Sequence, residues 1–94
     1  MKLRFIPEAE EVLFEIGEWV EKRNTAGSGF RFVNNFIDKV AEYALPKARY
    51  PICKNEVLAT YMLHCISIND WVVAFQQSND EFVVHYILFG PGLR

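Results

Sequence analysis

The chain has 94 residues, a formal net charge of −2 at neutral pH and 51% hydrophobic side chains, eight of them phenylalanine. That length bounds it to a single domain over residues 1–94 with one core. The apolar content excludes a disordered chain, and the near-balanced charge gives no reason to expect free nucleic acid or an anionic membrane as a partner.

The first predicted element is a short strand at "KLRFI", where Leu3 and Phe5 fall on one face. Pro7 then stands where a helix loses nothing by lacking an N–H. Over residues 8–23 the apolar side chains Ala9, Val12, Leu13, Ile16, Trp19 and Val20 recur at helical steps and form one stripe. The same segment carries six acids against two bases, whereas residues 24–94 carry six of each. Glu8, Glu10 and Glu11 occupy its first turn and Lys22 and Arg23 its last, as the helix dipole favours. A solvated helix face therefore accounts for the acidity.

"NTAGSG" punctuates the chain before a second stripe, Phe30, Val33, Phe36, Ile37, Val40 and Ala44, which Pro46 ends. Two amphipathic helices so closely joined pack as an antiparallel hairpin. Residues 46–56 read as irregular and hold Lys47, Arg49 and Lys54, the basic cluster outside the helix ends. Strands are predicted at 58–68, 71–77 and 82–89, parted by Asn69-Asp70 and Ser78-Asn79-Asp80, and links so short dictate an antiparallel meander. Strict alternation in the last strand sets Phe82, Val84, Tyr86 and Leu88 against Val83, His85, Ile87 and Phe89. Both sets are largely apolar, so the sheet needs cover on both faces, from a second small core or a partner. The fold class expected is α+β: an N-terminal strand and an antiparallel helical hairpin packed on a C-terminal antiparallel meander sheet.

Cys53 and Cys65 form neither a CxxC pair nor a zinc pattern and read as reduced thiols of a cytoplasmic protein. No segment resembles a signal peptide or approaches the roughly 18 apolar residues of a membrane span. Trp19 and Trp71 read as core anchors. His64 and Cys65, being neighbours on a strand, point to opposite faces and form no dyad. Cys65 and His85 stand on strands separated by a third, and no acidic residue nearby completes a metal site, so neither metal nor cofactor is expected.

The opening "LRFIPEAEEVLFEIGEWV" resembles the start of the RelE/ParE-type toxins of bacterial type II toxin–antitoxin, or plasmid stabilisation, modules. "ISINDWVVAFQQSNDEFVVHYILFG" is similar to that family's final hairpin. The resemblance implies a cytoplasmic toxin held inactive by a cognate antitoxin, acting on the ribosome as an mRNA endoribonuclease (RelE-like) or on DNA gyrase without nuclease activity (ParE-like). A ribonuclease needs cations to hold the phosphate and stabilise developing charge. No lysine or arginine lies between Lys54 and Arg94, and after Gly90 only Pro91, Gly92, Leu93 and Arg94 stand where the family has a basic stretch. The expectation is therefore a ParE-like inhibitor with protein contacts. Its antitoxin would occupy a groove around Val12, Ile16, Phe36 and Val40 or add a strand to an exposed sheet edge. The alternatives are a RelE-type endoribonuclease using Lys47, Arg49, Lys54, His85 and Tyr86, or a degenerate, non-toxic binding module. Without its partner, such an apolar sheet also favours a homo-oligomer.

Overall fold

A computed structural model describes residues 1–90; the expectation about the stretch after Gly90 lies outside the described residues. The elements run β1 (Lys2–Phe5), α1 (Pro7–Arg23), α2 (Ser28–Tyr43), α3 (Glu56–Thr60), β2 (His64–Ile68), β3 (Trp71–Gln77) and β4 (Glu81–Phe89). One mixed sheet has the order β1–β4–β3–β2: β2, β3 and β4 form the antiparallel meander, and β1 lies parallel to β4. The architecture is thus α+β, with an N-terminal strand, two long helices, the short α3 and a four-stranded sheet. No helix among the described residues is long and apolar enough to cross a membrane.

The two long helices, α1 and α2, begin without a side-chain cap from their own N-cap residue. At α1, Pro7 occupies a position whose N–H would be orphaned, and the Ile6 carbonyl accepts from Ala9 and Glu10. At α2 the cap comes from the other helix. The Glu21 carboxylate accepts the N–H groups of Gly27 and Gly29, each at 2.7 Å, and these bonds to the charged form hold its pKa below the usual carboxylate range. A carboxylate depressed in this way adds stability above its unfolded-state value, and that stability is lost as pH falls through its folded value. Glu21→Gln should therefore lower the melting temperature at neutral pH and leave a shallower acid dependence, both read by thermal denaturation across pH.

The hairpin closes tightly because two glycines face each other. A Cβ added at Gly29 would run into the Gly17 carbonyl oxygen, while one at Gly17 would meet the side chain of Val33. Backbone cannot rotate away as a side chain can. Gly29→Ala should thus cost about 1–3 kcal/mol despite alanine's higher helix propensity, measurable by denaturant unfolding.

The main core lies between the hairpin and one sheet face: Ala9, Leu13, Ile16, Phe36 and Val40 from the helices meet Ile66, Ile68, Val73, Phe75, Phe82, Val84 and Ile87 from the strands. The strict alternation predicted for β4 is broken. A register shift between Ala74 and Phe75 pairs Ala74 with Tyr86 but Phe75 with Val84, so His85 is an extra residue, a β-bulge. Phe82, Val84, Ile87 and Phe89 consequently share the helix-facing side. Val83, Tyr86 and Leu88 share the outer side.

The outer face has its own small core, Cys53, Leu58, Leu63 and Ala74, with Cys65 and Leu88 packed against it. Its cover is a cap formed by the segment leading into β2. Residues 58–63, expected as strand, instead form most of α3 and the turn after it. Asn55 Oδ1 accepts from the N–H groups of Val57 and Leu58, nucleating a helical turn, and Met62 in a left-handed conformation ends it. The two cysteines are not reduced thiols. Cys53 and Cys65 are joined, tying the cap to β2 across a separation of 12 residues. Spacing alone could not reveal the pairing, because the turn around α3 folds the chain back on itself.

Candidate functional site

The expected helix groove is not open. Phe36 and Val40 are 2% and 0% exposed and Ile16 is 9%, all committed to the sheet-facing core. Val12 is less buried and stands at a rim. It borders a concavity of about 620 Å³ between α1 and the end of the β3–β4 hairpin, together with Ile16, Trp19, Trp71 and Phe89. Trp19, expected in the core, is 54% exposed, and the Arg23 guanidinium lies 4.3 Å from its ring centre. Phe30, from the second predicted stripe, is 75% exposed and with Phe14 edges a second concavity, over the Gly17–Gly29 crossing. The helix periodicity was legible. How far around each helix the sheet would reach was not.

The sheet edges are β1 and β2. The first part of β2 is occupied, since Cys65 donates to the Pro51 carbonyl and Cys53 to that of Leu63. The outer edge of β1 has no strand beside it among the described residues, and it is the one on which an extended segment finds a full ladder.

The five candidate catalytic side chains do not share a concavity. Arg49 lines a small one of about 120 Å³ with Tyr50, His64 and Gln77. Lys54 lines another of about 270 Å³ beside Cys65 and Val72, and Lys47 is simply exposed. His85 and Tyr86 stand on the outer sheet face, where a His85 ring nitrogen meets Gln76 Oε1 at 3.2 Å and Tyr86 is 41% exposed. His64 is turned the other way, with Nδ1 2.7 Å from the Tyr50 carbonyl and its ring against Phe75. Tyr61, once expected on a strand, caps α3 and is exposed.

Two residues on this face escaped the reading of the strands. Leu3 and Phe5 of β1 pack against the main core, so Lys2 and Arg4 alternate to the outer side. The parallel register sets Lys2 opposite Glu81 and Arg4 opposite Val83, which brings two cations beside β4. Arg4 Nε is engaged by Glu81 at 3.1 Å. A cation count over the meander overlooked them because they enter from the far end of the chain. Among the described residues no three His, Cys, Asp or Glu side chains converge as a metal site.

The chain matches no family model and no curated protein. Its chemistry must therefore be read from these surfaces. The outer face offers Lys2, an ion-paired Arg4, His85 and Tyr86 around an apolar strip. The helix side offers aromatic side chains that the fold leaves uncovered. The aromatic surfaces are suited to protein contact, since large exposed apolar groups at a rimmed concavity gain from being covered.

Proposed function

We propose that this chain is the toxin component of a bacterial type II toxin–antitoxin module of the RelE/ParE type, held inactive by a cognate antitoxin and acting by binding a protein target. The supporting observation is the architecture: a strand, a helical hairpin and a three-stranded meander, with the first strand inserted beside the last. In this reading the antitoxin covers the exposed aromatic surface of α1 or adds a strand to β1. Inducible expression in a bacterial host tests it: growth should arrest, and co-expression of a cognate antitoxin, sought as a small open reading frame beside this gene, should relieve the arrest. Harmless expression at high level would leave a non-toxic binding module. If growth arrests, a supercoiling assay with purified gyrase reports whether gyrase is the target.

A ribosome-dependent endoribonuclease is the second reading, favoured by one observation. Lys2 and Arg4 stand on the same face as His85 and Tyr86 and would supply the phosphate-holding charge that the meander lacks. It requires mRNA cleavage on programmed ribosomes that is lost in Lys2→Ala/Arg4→Ala. No cleaved product at high protein concentration would dismiss it.

The toxin reading also places the chain in the cytoplasm, where thiol-reducing systems oppose stable disulfides. Rapid alkylation of thiols in protein taken from cells tests this placement. Cys53 and Cys65 that escape alkylation because they are already disulfide-bonded would assign the chain to an oxidising compartment instead.

A further inference from the structure

The concavity between α1 and the β3–β4 hairpin combines three features. Its walls are aromatic: Trp71 and Phe89 meet edge to face at 5.4 Å, and Phe89 and Trp19 remain 58% and 54% exposed. Its floor is aliphatic, formed by Val12 and Ile16. Its charged lining residues, Glu15 and Asp70, are both acids. The acidity continues one turn back along α1, because Glu8 and Glu11 precede Val12 and Glu15 by four residues. The cation at this surface is Arg23, at the far end, where its guanidinium already lies over the Trp19 ring.

We infer that this trough is a docking site for a basic amphipathic helix of a partner protein, with apolar side chains between Trp19, Trp71 and Phe89 and lysines or arginines against Glu15 and Asp70. Charge decides the occupant. An anionic lipid surface is repelled by the acids. A second copy of the same face would set an α1 of six acids and two bases against its like. A small polar ligand would find two like-charged carboxylates and no donor among the lining side chains except the Trp indoles. A cationic, apolar helix satisfies the aromatic walls and the acidic rim together, with its cations placed as Arg23 now is.

The inference rests on the toxin–antitoxin reading only in taking the occupant to be a protein segment. Its test is separate from growth arrest. Both tryptophans of the chain line this trough, so intrinsic fluorescence reports its occupancy directly. Titration with a leucine–lysine amphipathic helical peptide should shift Trp emission to shorter wavelength and saturate, with affinity falling as salt rises. The leucine–glutamate peptide of equal length should produce no such shift. Glu15→Lys should weaken leucine–lysine binding by about tenfold or more, whereas Glu42→Lys, on α2 outside the trough, should leave it unchanged.

Equal binding of the two peptides, absence of an emission change, or equal losses in Glu15→Lys and Glu42→Lys would each overturn the inference. If the peptide binds as expected but expression is harmless, the toxin reading fails and the docking site stands. If a cognate antitoxin relieves growth arrest equally well in Glu15→Lys, the docking site fails as the antitoxin's and the toxin reading stands.

Discussion

Phe75→Ala should lower the free energy of unfolding by about 3–5 kcal/mol, the largest loss expected from any single side chain here. Phe75 is fully buried, and its ring stacks on Phe82 at 4.0 Å between centroids. Tyr50 meets it edge-on at 5.6 Å, and the His64 ring lies 5.7 Å away. Truncation therefore removes a large transfer term and leaves a cavity walled by three other rings. Those rings come from a strand, a connecting segment and a neighbouring strand, each held by hydrogen bonds of its own, so the site cannot collapse to refill. Tyr50 donates its hydroxyl to the Tyr43 carbonyl at 2.8 Å, which pins it to the end of α2. Phe75→Leu retains most of the volume and should cost much less. Equilibrium urea unfolding of both variants checks the ranking. A loss below about 1 kcal/mol for Phe75→Ala would mean that the core is looser than these contacts describe.

Removal of the Cys53–Cys65 bond should cost about 3 kcal/mol, the loop-closure value for a cross-link of this span. The cap depends on the bond more than most segments would. Among the described residues the core beneath it has only Cys53, Leu58, Leu63 and Ala74 as buried members, while Val57, Tyr61 and Met62 on the cap remain exposed. In denaturant unfolding, Cys53→Ala/Cys65→Ala and wild type under reductant should show similar losses, and reductant should leave the double variant unchanged. The damage should also be local. Amide exchange at Cys53 and Cys65, whose N–H groups bond to Leu63 and Pro51, should quicken before that of β3. An unchanged midpoint for reduced wild type would show that the cap holds itself.

Much of the fold was legible in the sequence because its signals are local. Helical steps from Ala9 to Val20 and from Phe30 to Ala44 placed α1 and α2, and Pro7 and Pro46 marked an entry and an exit. Asn69-Asp70 and the 78–80 turn placed the hairpins, and hairpins this short admit only antiparallel neighbours. The separation of His64 from Cys65 and of Cys65 from His85 followed from the same geometry.

The errors have physical causes too. Leu58, Ala59, Tyr61, Met62 and Leu63 form an apolar run dense enough to read as the start of a strand, but the Asn55 side chain supplies two capping bonds that start a helical turn instead. Trp19 and Phe30 sit on the apolar stripes of their helices, yet the sheet is too narrow to cover both flanks. Two residues of the candidate groove are closed off for the complementary reason: Phe36 and Val40 lie at the centre of the stripe, where the sheet covers them fully.

The sequence by itself determined the amphipathic helices, the meander and the acidity of α1, since each depends on residues within a few positions of one another. Only the tertiary structure decided that β1 lies beside β4 and carries Lys2 and Arg4 to the outer face. It also decided that the bulge at His85 resets which side chains of β4 share a face, and that Cys53 meets Cys65. Each of these is a pairing between distant segments or a one-residue slip in register. Hydrophobic periodicity is blind to both, because many pairings bury the same side chains and only packing of the whole chain selects one.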